Sequence, residues 1–233
     1  KNLPTDLDFK ERINGEYLDP ICTAHRGIQY FTGLLKDVQK KVYIPFHFLP
    51  SLKYDGRGHY NYCCVPNGSM SRLLIKRAVE NIKKAQNEKR TQTLIQLGIA
   101  LHAYADSWSH QHFSGRRSAK DNDVERIYIF KEGDCEPLPL LDQLKLNIIP
   151  AVGHAEALHF PDQSHLKWKY EHDASGIQYT RDNTAIFLEA AHAIFTVLCE
   201  TNEKLGNWKS LVNKIKESFS VPSDSIKDKF QKY

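Results

Sequence analysis

The chain has 233 residues, of which 41% are hydrophobic and 26% charged, and its formal net charge is +4. That length supports a single large domain with a sizeable core, the composition is that of an ordinary soluble globular protein, and the small net charge makes no case for a nucleic-acid or membrane-surface partner. Five cysteines (Cys22, Cys63, Cys64, Cys135 and Cys199) contain no CxxC pair. They read as free thiols of a reducing, cytoplasmic compartment. No apolar run approaches the roughly 20 residues of a membrane span. The opening KNLPTDLDFKER carries no apolar signal segment, although a cleaved one would leave no trace. The eleven histidines are the compositional oddity, suited to metal ligation or proton transfer.

Residues 1–41 read as an irregular lead-in and a short helix around CTAHRGIQYFTGLL, which carries His25. Residues 42–52, VYIPFHFLPSL, are apolar and aromatic. Pro45 and Pro50 bar a regular helix interior or central strand, so the segment is predicted to be extended and buried, with His47 between Phe46 and Phe48. Residues 53–68 are a Gly- and Pro-containing loop with His59, Tyr60 and Tyr62, of the kind that rims a pocket. Residues 69–89 read as a helix with Leu74, Ala78, Ile82 and Ala85 inward.

The central helix follows, capped by Thr91 or Thr93 and running to about His112. Its core, LGIALHAYADSWSHQHFSG (residues 97–115), packs His102, Asp106, His110 and His112 into eleven positions. Positions four apart lie nearly above one another on a helix. His102, Asp106 and His110 therefore form one row that continues the Ile95 and Ile99 stripe, and the row is predicted to point inward. An inward Asp is costly unless paired or metal-bound, and imidazole with carboxylate is the donor set that suits zinc.

Beyond a loop at residues 115–122, ERIYIFK (125–131) reads as one short strand. Residues 138–149 look helical, and Pro150 can open a further helix, AVGHAEALHF, carrying His154, Glu156 and His159 and closed by Pro161 and Asp162. Residues 163–176 read as a polar connection. A second long helix covers 180–205, capped by Asp182 or Asn183 and ended by Gly206, and a short amphipathic helix covers 208–219 before a charged tail. The fold expected is a single all-α helical bundle with at most one short β element. It divides into a lead-in (1–41), a core (42–205) and C-terminal helices (206–233).

Phosphate loops, serine elbows and dinucleotide fingerprints are absent from the sequence. What remains is two clusters, His102/Asp106/His110/His112 and His154/Glu156/His159/Asp162. Neither alone completes a site with an open position. Together they supply ligands for one ion, or for two or three in a carboxylate-bridged group.

LGIALHAYADSWSH resembles the helix of the zinc-dependent phospholipase C and single-strand nuclease superfamily, which carries His, then Asp four residues later, then a further His. The blocks FHFLP, LGIALHAYADSWSHQ and PAVGHAEA more closely resemble a microbial family, bacterial with fungal members, whose function is unassigned. That family begins with a helix bearing another His and an Asp pair, which residues 1–41 do not display. The resemblance implies zinc or another divalent metal held by His102, Asp106, His110 and His154, with His47, His159 and Asp162 as further ligands. His112, six after Asp106, competes with His110. Asp106 and Glu156 are the carboxylates it offers for catalysis, although the spacing to Glu156 departs from the usual His-x-x-x-Glu. Arg116 and Arg117 are placed to bind a phosphate or carboxylate. The implied activity is hydrolysis of a small-molecule, lipid or nucleotide phosphoester by a metal-activated water. The alternative is a non-catalytic helical protein with a structural metal site or a buried His/Asp network.

Overall fold

A computed structural model of the chain describes residues 12–13, 16–17, 36, 39–54, 60–86, 88–131, 133–139, 151–172, 176–202 and 206–222. Cys22, His25 and His59, most of the helices expected around 21–41 and 138–149, and the C-terminal tail lie outside the described residues. Two short antiparallel pairs come first, β1 (Arg12–Ile13) with β2 (Glu16–Tyr17) and β3 (Lys53–Tyr54) with β4 (Tyr60–Asn61). Between them Gln39–His47 winds as a π-helix. Helices α1 (Ser69–Lys84), α2 (Glu88–Ser109) and the single turn α3 (Ala119–Asn122) follow. Then come β5 (Arg126–Lys131), β6 (Asp134–Pro137), a 3-10 turn Phe160–Asp162, β7 (Lys167–His172) and β8 (Ile177–Asp182). Helices α4 (Asn183–Thr201) and α5 (Trp208–Ser220) complete the order.

The all-α expectation is wrong: β6, β5, β7 and β8 form a four-stranded antiparallel sheet in that order, and the fold is mixed α and β. The reason is visible in β7. KWKYEH alternates, with Trp168, Tyr170 and His172 buried and Lys167, Lys169 and Glu171 on the other face. A period of two is the mark of a half-buried strand, but the charged residues on the wet face gave the segment the look of a polar connection. Residues 177–182, partly assigned to the following helix, are the partner strand, with Trp168 opposite Arg181 and Tyr170 opposite Tyr179.

The extended segment expected at 42–52 is also corrected. Its first half is helical with five-residue bonds, as in the 2.8 Å bond from the Phe48 N–H to the Tyr43 carbonyl. The wider turn relieves the clash that a proline ring makes with the carbonyl four residues back in an α-helix, so Pro45 sits inside it. Likewise the helix expected from Pro150 is a chain of three-residue turns. Ala155 N–H bonds Val152 O, Leu158 N–H bonds Ala155 O and Phe160 N–H bonds Ala157 O. Positive φ at Gly153 (56°) and Leu158 (52°) breaks any regular helix there.

The core has two parts. Helices α1, α2 and α4 pack through Ile75, Val79 and Ile82, Leu97, Tyr104 and Trp108, and Ala190 and Val197. The sheet contributes Ile127, Trp168 and Tyr170, packed with Phe48, Phe113 and Ala157. Helix α4 is, by length and composition, apolar enough to cross a membrane, contrary to the expectation that no such run exists. One such helix is weak evidence for a span; α4 packs on α1, α2 and α5, with 11% of its apolar window buried.

The buried face of α2 is Leu97, Ala100, Ala103, Tyr104, Ser107 and Trp108. The His102/Asp106/His110 row therefore lies along the edge of that face, not in its centre. It climbs from solvent into the protein, with side-chain exposures of 40%, 20% and 7%. The end of the row meets Phe48, which stacks on His110 with centroids 4.5 Å apart. Gly153 makes room for that ring, since a Cβ there would collide with Phe48 Cζ and the backbone is left-handed. Gly153→Ala is expected to cost about 1–3 kcal/mol in urea unfolding. Gly98→Ala, on α2 with nothing within 4 Å of its new Cβ, is expected to add about 0.5–1 kcal/mol.

Candidate metal centre

Three pieces of chain meet at the C-terminal half of α2. The helix supplies His102 and Asp106, and His110 follows just past its end, all at one-turn intervals. The last residue of the π-helix supplies His47. The turn-built stretch 151–162 supplies His154 and, from its closing 3-10 turn, Asp162. The result is two groups whose ligand atoms lie within 4.8 Å of one another, His47/His102/Asp106 and His110/His154/Asp162.

In the first group, Asp106 Oδ2 is 2.9 Å from His47 Nδ1 and 3.3 Å from His102 Nε2, and the two imidazole nitrogens are 3.3 Å apart. In the second, Asp162 Oδ1 is 3.4 Å from His110 Nε2, and Asp162 Oδ2 is 3.5 Å from His154 Nε2. Most of these separations exceed a good N–H···O hydrogen bond, about 2.7–3.2 Å. They match the edge of a tetrahedron of ligands held about 2.0–2.1 Å from one ion, which is about 3.3–3.4 Å. His110 joins the groups, since its Nδ1 is also 3.7 Å from Asp106 Oδ2.

The second group is oriented from behind. His110 Nδ1 lies 2.7 Å from the His47 carbonyl and His154 Nδ1 lies 2.9 Å from the Leu158 carbonyl. A carbonyl only accepts, so each Nδ1 carries a hydrogen; protonated His110 also carries one on Nε2 and donates it to Asp162, and a metal would have to displace that proton to reach the Nε2 lone pair. Fixing the tautomer through the remote nitrogen is how metal-ligating histidines are held. The protonation balance reflects the same contacts. Burial pushes the Asp106 carboxyl up, but His110, together with hydrogen bonds from His102 and His47, holds it well below the usual carboxylate range. Burial also opposes ionisation of Asp162, and His154 and His110 outweigh it, lowering that carboxyl to about 2. Burial lowers His110, yet Asp106 and then Asp162 raise it to about 9. The Asp106 hydrogen bond raises His102. Burial holds His154 below its ordinary value, despite Asp162.

Three buried residues that sequence reasoning missed hold this frame. The fully buried Asn183 donates to the Phe160 and Gln163 carbonyls at 2.6 and 2.8 Å and accepts from the Trp168 indole at 3.1 Å. It thereby ties the turn bearing Asp162 to β7 and α4. Asn122 accepts from Ser114 N–H and donates to the Arg116 and Ala151 carbonyls, joining the end of α2 to the 151–162 stretch. Arg181, 2% exposed, donates to the carbonyls of Trp108, Ser109 and Gln111, at the negative end of the α2 dipole. An Asn at a helix start and an Arg in a strand carry no local sequence signal of these distant contacts.

The remaining candidates lie elsewhere. His112, left-handed at φ 74°, stacks on Tyr179 with centroids 4.3 Å apart and belongs to neither group, whereas His110 does. His159 precedes the 3-10 turn, is exposed and belongs to neither group. Glu156 is buried at 6% exposure, and its carboxylate accepts the Val124 N–H at 2.8 Å, a brace between the 151–162 stretch and the start of the sheet. Arg116 lies over the Tyr62 ring at 4.2 Å, and the Arg117 N–H bonds Gln39. Both arginine side chains are exposed. A pocket of about 290 Å³ opens beside Asp106 and Asp162, between α2, α4 and α5.

A family model described as a family of unknown function (DUF6765) matches residues 2–233, and the chain belongs to that family. No curated protein and no solved structure matches it.

The raised pKa values of His110 and His102 make protons competitors for a metal. At neutral pH His110 is protonated, because its folded-state value of about 9 lies above the solution pH. Zinc uptake at the His110 group is expected to release about one proton, and the apparent affinity there to rise up to about tenfold per pH unit between pH 6 and 8. Calorimetric titration in buffers of different ionisation enthalpy measures the release directly.

Proposed function

We propose that this member of a family without an assigned activity is a metal-dependent hydrolase of phosphodiesters or related esters. In this reading His47, His102 and Asp106 hold one divalent ion, and His110, His154 and Asp162 hold a second. The observation that carries it is the second group. Two histidines have their Nδ1 atoms committed to carbonyls, and their Nε2 atoms stand 3.4 and 3.5 Å from the two oxygens of one carboxylate. Such spacing and tautomer control suit an ion better than a hydrogen-bonded network. Two carboxylates and four imidazoles, neutral once a metal has displaced the His110 proton, suit zinc or a similar divalent cation. The resemblance of residues 97–110 to the helix of zinc-dependent phospholipases C and single-strand nucleases points the same way.

When bound, such ions act as Lewis acids and lower the pKa of a water molecule towards 7. The protein's own part is positional. Asp106 and Asp162 balance the cationic charge. The carbonyls of His47 and Leu158 fix the imidazoles. His102 and Asp162, with side chains 40% and 47% exposed, leave the centre open to solvent and substrate on one side.

A second reading is favoured by the charge balance alone, since protonated His110 between two carboxylates is self-sufficient without metal. Asp106→Asn separates the two. The hydrolase reading expects the variant, purified without a His tag, to keep its helical circular dichroism and lose at least roughly tenfold in zinc affinity. Hydrolysis of bis(p-nitrophenyl) phosphate is expected to vanish. The network reading expects unchanged metal content and a stability loss on the order of 1–3 kcal/mol.

A further inference from the structure

The pocket beside the two carboxylates has a polar end and an apolar end. Asp106, from one ligand group, and Asp162, from the other, form the polar end, while Phe187, Ala191 and Ile194 of α4 and Phe219 of α5 line the rest. Phe187 and Phe219 meet edge to face with centroids 5.7 Å apart, which fixes the width of the apolar end. The larger groove between α1 and α4 touches neither ligand group. The 290 Å³ volume sits at the lower limit of small-molecule sites, roughly 300–1,000 Å³. A space that begins at both ligand groups and ends on aromatic rings is shaped for a molecule with an anionic head and an apolar arm.

We infer that this pocket selects the substrate's leaving or retained group, which is a single compact apolar arm the size of one aromatic ring or a short alkyl chain. The inference rests on the hydrolase reading above, because it takes the substrate's anionic head to lie at the two ligand groups. Ala191 lines the pocket with a small side chain, so a larger one there takes up part of the space. Phe219 lines it from α5, a helix with no buried residue of its own, so enlarging the pocket there does not open the main core.

The test uses the full chain loaded with cobalt(II), whose visible absorption reports both metal uptake and anion binding without any turnover. Methylphosphonate, phenylphosphonate and biphenyl-4-ylphosphonate are titrated in turn. Phenylphosphonate is expected to bind at least about tenfold more tightly than methylphosphonate, from the apolar area that the ring buries. Biphenylphosphonate is expected to gain nothing further. Ala191→Leu should bring the phenyl-to-methyl ratio below about twofold by filling the space that the ring would occupy. Phe219→Ala should let biphenylphosphonate bind at least about fivefold more tightly than phenylphosphonate, through the longer apolar contact. A normal cobalt spectrum with equal affinities across the series overturns the pocket assignment alone. So does a phenyl preference that survives Ala191→Leu while Phe219→Ala leaves the biphenyl affinity where it was. A protein that takes up no cobalt overturns the hydrolase reading and this inference with it.

Discussion

The site depends on how two carboxylates are sustained within a partly buried volume. Desolvation disfavours ionisation of both Asp106 and Asp162, and Asp106 also opposes ionisation of Asp162. An uncompensated charge in such a place is costly. Compensation comes from four imidazoles, and His110 is central because it stands beside both acids, 3.7 Å from Asp106 and 3.4 Å from Asp162. A proton on His110 or divalent ions at the two groups can each supply the positive charge. In the reading proposed above ions supply it, with support from donor separations that mostly exceed a good hydrogen bond.

Only one of the elements carrying the site is a regular α-helix. The α2 row gives three donors at one-turn intervals, and everything else is delivered by less regular backbone. The π-helix brings His47 over the row and leaves its carbonyl free to hold His110. The turns at 151–162 hold His154 and Asp162 in place through Asn183, Asn122 and the Glu156 brace. Arg181 satisfies the carbonyls at the end of α2 from the sheet, so the last turn of the helix, with His110 just beyond it, is anchored to a strand. Helix, sheet and site are thus mechanically one unit, with the site at the seam between the two halves of the core.

Much of the α-helical frame was legible in the sequence because its apolar spacing is strong: of the stripe expected on α1, Ala78 and Ile82 are buried, while Ile75 and Val79 take the inward places given to Leu74 and Ala85. The cap at Asp182, whose side chain accepts the Ala185 N–H, was legible for the same local reason. The sheet was not, since β7 alternates Trp and Tyr with Lys and Glu and its charged face dominates the composition. Nor was the turn-built stretch after Pro150, where the left-handed residues Gly153 and Leu158 interrupt what reads as a helical pattern. In the site, the i, i+4 row on α2 needs only local geometry, and spacing alone places His102, Asp106 and His110 together. The choice of His110 over His112, and the brace formed by Glu156, depend on where distant chain returns. Residues such as Asn183 and Arg181 act through contacts with segments far away in sequence, which no local pattern records.

The most direct measurement is an anomalous-difference map at the zinc absorption edge, from a crystal of this chain grown with zinc. The account predicts two peaks, one within about 2.0–2.2 Å of the ligand atoms of His47, His102 and Asp106 and one at the same distance from those of His110, His154 and Asp162. A map without a peak at either group, from crystals in which Asp106 and Asp162 keep their contacts with the histidines, would contradict it.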